Sequence, residues 1–300
     1  VTAAEKLKPG PRKGTKHTID AFHFDPDYLA EIAERLRDSW KTADPFPHVV
    51  IEDFLPRWVI DQLLSEFPKV GEEHYDFYQE PNESRKGKAA TTRVDQLGAF
   101  TRQLIGELNA SPFINFLEDV TGIQHVIPDP HLMGGGTHQT QSGGLLKIHA
   151  DFNWDPRLRL HRRLNLILFL NDDWDESWGG HLELWSKDMS HCVKRVAPLM
   201  NRAVLFYVAD DSNHGHPEPL KCPEDVTRKS LAMFYYTNGK PRREFALPHT
   251  TIYKRRPGET FERRTALGSS RILKRFVPPI VEDLVAFAKI NLKNLKDDAQ

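Results

Sequence analysis

Cysteine is almost missing from this chain: its 300 residues include two, Cys192 and Cys222. They form no CxxC pair and are too few for a disulfide framework, which predicts a reducing, cytoplasmic compartment. Long apolar runs are missing too. The longest, "LNLILFL" from Leu164 to Leu170, is far too short to span a bilayer, so no membrane association is expected. The first residues, "VTAAEKLKPGPRKGTK", lack the apolar stretch of a signal peptide and read as a flexible basic tail over 1–16. Nor does charge of one sign dominate. The formal net charge is -1, which makes no general case for a nucleic-acid or membrane partner. Charged residues at 28% and hydrophobic residues at 39% describe an ordinary soluble globular chain, long enough for a sizeable core. Composition leaves the oligomeric state undetermined.

What is present divides into two grammars. Over 17–124 the chain reads as a helical support segment. Asp25-Pro26 has the form of an N-cap followed by proline in the first turn, and Leu29, Ile32, Ala33, Leu36 and Trp40 recur at helical spacing. An extended run covers Phe46 to Leu55. Pro56 opens a second helix with Val59, Leu63 and Phe67 on one face. "NESRKGKAATT", Asn82 to Thr92, is polar and is expected to be a loop. Leu97 to Leu108 predicts a third helix, and Ser111-Pro112 to Gly122 a fourth. Over 125–240 the pattern is short strands broken by glycines. Gly134 to Gly136 and Gly143-Gly144 bracket "THQTQS", and "LLKIHAD", "RLNLILFLN", "HLELW", "RAVLFYV" and "RKSLAMFYYT" follow. This predicts a mainly β fold, a sandwich or barrel, with flanking helices. The remainder, 241–300, is a basic extension with a terminal helix from about Pro279 to Lys296. The whole is expected to be one structural domain.

The stretch "KIHADFNWDP" places His149 and Asp151 one residue apart at a strand end. Residues i and i+2 of a strand share a face, so both side chains can aim at one point. A third donor is available about sixty residues on, His214, with His216 beside it as a rival. Two imidazoles and a carboxylate on one side of an ion leave open positions, the facial arrangement of non-haem iron oxygenases. In a chain with 14 histidines, an HxD alone also arises by chance. Further along, Arg228 and Ser230 are again i and i+2 in an apolar strand. A buried arginine is costly without an anion, and its fork suits a carboxylate, either a ligand's or a protein acid's.

HxD, a distal histidine and RxS, in that order, resemble the 2-oxoglutarate- and Fe(II)-dependent oxygenases, specifically the prolyl 4-hydroxylase-like branch. "GGLLKIHADFN", "RRLNLILFLNDDW" and "WGGHLELW" are similar to the family's approach to the first ligand strand, its strand-and-turn, and its hairpin. The resemblance spans roughly 125–240. It implies a double-stranded β-helix, a jelly-roll or cupin-like core. It implies Fe(II) held by His149, Asp151 and His214, and a distal 2-oxoglutarate carboxylate held by Arg228 and Ser230, with O2 as co-reactant. Two positions depart from the pattern. Phe169 stands where some relatives have a tyrosine that helps hold the carboxylate, so Ser230, with Gln139 or Asn165, is expected to compensate. His181 sits in the hairpin where an acid is common. The retained Asp151 favours hydroxylation over halogenation. The implied activity is hydroxylation of an unactivated C–H bond of a small metabolite or a free or carrier-bound amino acid, releasing succinate and CO2. A peptide or prolyl hydroxylase and a non-catalytic metal-binding module are the alternatives. Intact Arg228 and Ser230 argue against the module.

For the substrate, "NWDPRLRLHRR" follows the HxD. Arg157, Arg159, Arg162 and Arg163 would give a cationic rim for an anionic small molecule, with Trp154 as an apolar wall and His216 facing the substrate. Equally, these arginines could be solvated and paired with Asp172, Asp173 or Asp175. The second basic block, after Pro241, lacks the aromatic interleaving of a nucleic-acid module and reads as charged surface.

Overall fold

The computed structural model describes residues 5–6, 21–69, 76–78, 84–91, 93–244 and 246–260. The terminal helix expected near Pro279 to Lys296, and most of the tail expected over 1–16, lie outside them.

Helices come first. Asp25 caps α1 (Pro26–Thr42) by accepting from the Asp27 amide at 3.0 Å, and Leu29, Ile32, Ala33, Leu36 and Trp40 form its buried face. Helix α2 (Arg57–Ser65) buries Val59, Ile60 and Leu63, and α3 (Ala99–Leu108) buries Phe100, Leu104 and Leu108. Helix α4 (Ser111–Thr121) stops at Gly122, whose φ of 71° is a left-handed cap that glycine adopts without cost. All four boundaries fall within two residues of those the sequence predicts.

The strands are β1 (Glu5–Lys6), β2 (His48–Glu52), β3 (Asp76–Tyr78), β4 (Arg85–Thr91), β5 (Ile127–Pro128), β6 (Gly136–Ala150) and β7 (Trp154–Asp155). They continue with β8 (Leu160–Phe169), β9 (Leu182–Trp185), β10 (Cys192–Val196), β11 (Ala203–Tyr207), β12 (His214–His216), β13 (Arg228–Thr237) and β14 (Ile252–Tyr253). One path runs β1-β2-β11-β8-β13-β6-β12-β9-β10, antiparallel except at β1–β2. Side chains alternate between two environments. Leu164, Leu166 and Leu168 of β8, with Leu231, Met233 and Tyr235 of β13, join the helices in one core. The intervening Asn165, Ile167, Ser230, Ala232 and Phe234 line the concave side.

β6 curls the sheet. Its first part, Gly136 to Thr140, pairs with β13, whereas Leu146 and His149 pair with β12. The bend falls at Gly143 (φ 71°) and Gly144, where a Cβ would lie 2.5 Å from the Thr140 methyl and 2.7 Å from the Gln141 carbonyl oxygen. The sequence reading made Gly143-Gly144 a turn between strands; instead they bend one continuous strand. The product is a strongly curled, mainly antiparallel jelly-roll core with helices on its convex side. No helix among the described residues is long and apolar enough to cross a membrane.

A second correction concerns "NESRKGKAATT". Arg85–Thr91 is not a loop but strand β4, paired along β6 from Thr137 to Leu146. Its register shifts between Lys86 and Lys88, around Gly87 at φ 63°. The bulge destroys the alternation by which a strand is recognised.

Candidate active site

β6 and β12 place His149 and His214 directly opposite one another, with ring centroids 4.4 Å apart. Asp151 follows immediately after β6. The Nε2 atoms of His149 and His214 lie 3.5 Å from Asp151 Oδ1 and Oδ2 respectively, and one donor atom from each residue lies within 4.8 Å of the others. The tautomers follow from the neighbours. His149 Nδ1 contacts the Lys147 carbonyl at 2.8 Å, and His214 Nδ1 contacts the Ser212 carbonyl at 2.9 Å. A carbonyl only accepts, so each Nδ1 carries a proton, which leaves each Nε2 as the atom turned toward Asp151. Burial holds the His214 imidazole down to about 4, against a small rise from Asp151, so it is neutral at physiological pH. Two imidazoles and a carboxylate converging at a partly buried point are a donor set that fits Fe(II).

A layer behind the donors fixes the carboxylate. Asp151 Oδ2 accepts from Asn165 Nδ2 at 2.7 Å and from Arg162 at 3.1 Å, while Arg162 Nε donates to Asn165 Oδ1 at 2.8 Å. The Arg162 guanidinium lies between Phe152 and Phe234, 4.4 and 3.4 Å from their ring centroids. Burial would raise the Asp151 carboxyl, but the Arg162 charge and His149 outweigh it and hold it well below the usual carboxylate range. Asn165 therefore lines the cavity, but its amide is committed to Asp151 and Arg162 rather than left to face a cosubstrate carboxylate.

Arg228 and Ser230 start β13 on the concave face. Arg228 is buried; its Nε donates to the Gly180 carbonyl at 2.7 Å, and its guanidinium lies 4.8 Å from the Phe169 centroid. Phe169 is thus the platform under the arginine. Among the described residues no carboxylate pairs with Arg228, and burial alone lowers it to about 9. The alternative of a structural salt bridge finds no acid among the described residues to support it. Gln139 points elsewhere. Its neighbours His138 and Thr140 line the cavity, so strand alternation turns Gln139 to the opposite face, where its Nε2 donates to the Pro68 carbonyl and its Oε1 accepts from Thr227.

These groups surround a cavity of about 300 Å³, lined among the described residues by four cations, Arg85, Lys88, Arg162 and Arg228, and by one carboxylate, Asp151. His216 lines it too; the ring is buried and its Nδ1 has no hydrogen-bond partner. Of the four arginines expected to form a rim, only Arg162 lines the cavity. Trp154 and Asp155 pair with His161 and Leu160 in a tight β7–β8 hairpin, where the Asp155 carboxylate accepts from the Arg157 and Leu158 amides. That turn leaves Arg157 and Arg159 exposed and outside the lining, and Trp154 packs against His161 at 4.7 Å. Arg163 is buried against Glu244 and Thr237. None of the four pairs with Asp172, Asp173 or Asp175. His181 contacts the exposed Glu176 at 3.3 Å rather than lining the cavity. The residues missed were Arg85, Lys88 and His138, whose strand was read as a loop or whose side chain was not singled out.

Residues 135–236 match the family described as the 2OG-Fe(II) oxygenase superfamily. This segment belongs to that superfamily. It contains the HxD, the distal histidine and RxS, and the enzyme is a 2-oxoglutarate-dependent non-haem iron dioxygenase that uses Fe(II), 2-oxoglutarate and O2. Among solved structures, the chain is similar to a prolyl-4-hydroxylase from Pseudomonas putida, with 19% identity, 70% of this chain and 100% of that chain covered, and a TM-score of 0.47. It is similar to a Trichoplax adhaerens prolyl hydroxylase solved with a hypoxia inducible factor oxygen degradation domain peptide, at 14% identity, 70% and 91% coverage and a TM-score of 0.47. HygX from Streptomyces hygroscopicus, solved with nickel, 2-oxoglutarate and hygromycin B, gives 11% identity, 68% and 91% coverage and a TM-score of 0.43.

Proposed function

We propose that this oxygenase hydroxylates an unactivated C–H bond of a small anionic metabolite, such as a free or carrier-bound amino acid. The observation that carries the reading is the cavity itself: about 300 Å³, at the lower end of ligand pockets, with the donor triad at one wall and four cations around it. Bound Fe(II) with 2-oxoglutarate and O2 supplies the oxidation, one oxygen atom entering the substrate and the other leaving in succinate alongside CO2.

The chain's own residues do the positioning. His149, Asp151 and His214 would hold the metal, and Asn165 and Arg162 keep the Asp151 carboxylate from rotating. Arg228, aimed by Gly180 and backed by Phe169, would hold the distal carboxylate of 2-oxoglutarate, with the Ser230 hydroxyl two residues along the same face adding a bond. Ile167, Leu182, Ala232 and Phe234 supply apolar wall between these polar groups, which limits water and leaves the substrate's orientation to decide which carbon reacts.

The test is a screen of metabolites and peptides for stimulated succinate formation, with each product confirmed by a mass gain of one oxygen atom. Anionic metabolites should stimulate turnover and gain the oxygen. Productive hydroxylation confined to peptides would overturn the metabolite reading and leave the oxygenase assignment intact.

A further inference from the structure

β4, β6 and β13 are neighbours, and their registers put Lys88 opposite Thr140 and Thr140 opposite Arg228. All three line the cavity. Lys88 and Arg228 therefore flank Thr140 at the same level, their backbones two strand spacings apart, about 10 Å. β4 runs antiparallel to β6, so Arg85 comes level with Leu146, three residues before the donor His149. β4 thus lays two cations beside the stretch that leads from the cosubstrate end to the metal end.

Charge compensation separates these cations. Arg162 has Asp151, and Arg228 takes the distal carboxylate of 2-oxoglutarate on the reading above. Among the described residues the Lys88 ammonium has no hydrogen-bond or ion-pair partner, although it is partly buried in a cavity where Asp151, the one carboxylate those residues contribute, is already engaged. Burial, and then Arg85 beside it, push it down to about 7. A partly desolvated lysine facing a ligand cavity without a counter-charge is a cost that a bound anion removes.

We infer that Lys88, with Arg85 on the same strand, is an anion seat for the substrate, distinct from the Arg228 seat for 2-oxoglutarate. The substrate then carries a carboxylate or phosphate close to the carbon that is oxidised. This rests on the assignment of Arg228 to the cosubstrate. It explains why a cavity that already accommodates one dianion keeps further positive charge, and it moves substrate recognition from the Arg157–Arg159 turn to β4.

The experiment labels the full-length, Fe(II)-loaded enzyme anaerobically with saturating 2-oxoglutarate. Pyridoxal 5′-phosphate, an aldehyde bearing phosphate, is compared with pyridoxal, the same aldehyde without it. Each forms an imine with a lysine amine by loss of water. Borohydride reduces the imine to a stable secondary amine, and peptide mass spectrometry locates it. Lys88 should be labelled at least about tenfold faster by the phosphate-bearing reagent, a difference of about 1.4 kcal/mol in effective affinity. Inorganic phosphate should protect it, whereas a parallel sample without 2-oxoglutarate should be labelled at the same rate, so that 2-oxoglutarate itself does not protect. In parallel, Lys88→Gln should bind 2-oxoglutarate within about twofold of wild type. Equal labelling by the two aldehydes would overturn the seat. Full protection by 2-oxoglutarate, or a tenfold loss of its affinity in Lys88→Gln, would overturn it differently, by making Lys88 part of the cosubstrate clamp. If wild type bound no 2-oxoglutarate, the Arg228 assignment would fall instead, and phosphate selectivity at Lys88 would still decide whether an anion binds there.

Discussion

Replacing Arg228 by methionine removes the charge while keeping much of the side-chain volume over Phe169. The structure fixes what should follow. Among the described residues Arg228 has one hydrogen-bond partner, the Gly180 carbonyl at 2.7 Å, and no carboxylate. Burial lowers it from its ordinary value to about 9, which corresponds to a cost on the order of 5 kcal/mol for keeping it charged in the folded protein at neutral pH. The sign is that of a base with a depressed folded value. Below about pH 9 both the folded and unfolded chains hold the proton and the folded state bears the penalty; above it the penalty is progressively relieved. Methionine should therefore leave the thermal midpoint of cosubstrate-free protein unchanged or higher. Cosubstrate binding should suffer. Losing one partner of a secluded charge pair costs about 2–5 kcal/mol, or roughly thirtyfold to several-thousandfold in affinity. Arg228→Lys should be intermediate, since it keeps the charge and loses the fork. The assay is an anaerobic titration of 2-oxoglutarate into Fe(II)-loaded protein, following the metal-to-ligand absorption band, with thermal unfolding run alongside. Wild type at a hundred times its Kd should gain about 2.7 kcal/mol, and at the same concentration Arg228→Met should gain little. Equal affinity in the two proteins, or a large loss of midpoint without cosubstrate, would refute the reasoning and return Arg228 to a structural role.

His149→Ala and His214→Ala should each lose stoichiometric Fe(II) binding in equilibrium dialysis, while His216→Ala retains it, because only the first two rings turn Nε2 toward Asp151; the reverse result for His214 and His216 would move the ligand. His48 is buried, with Nδ1 on the Phe46 carbonyl at 2.9 Å, and burial lowers it to about 4. The unfolded chain then takes up a proton first as pH falls, so stability present at pH 7 is lost between about 6.5 and 4, by up to about 3 kcal/mol. His48→Leu should flatten that part of the midpoint-versus-pH curve, and an unchanged slope would contradict the assignment.

His149–Asp151 and Arg228–Ser230 were legible because each is an i, i+2 pair in a run with strong strand character; His214 was preferred to His216 by its place in the family's order, and β12 sets it opposite His149. What escaped was decided by breaks in alternation. β4 is polar, and its bulge at Gly87 puts Arg85, Lys88 and Ala90 on the concave side at unequal spacing; no period-2 template finds such a strand. The arginine run shows the same effect at single-residue resolution. Asn165, Ile167 and Phe169 share the concave face of β8, so strict alternation would also put Arg163 there and turn Arg162 away. The pairing of β8 with β13 slips between Tyr235, opposite Leu164, and Tyr236, opposite Arg162. Arg163 is the extra residue, and beyond it the faces exchange. Arg162 consequently enters the site and holds Asp151, while Arg163 turns to Glu244 and Thr237. Nothing local in "HRRLN" marks that slip: two adjacent arginines are chemically identical, and the partner strand decides which one orients a metal ligand.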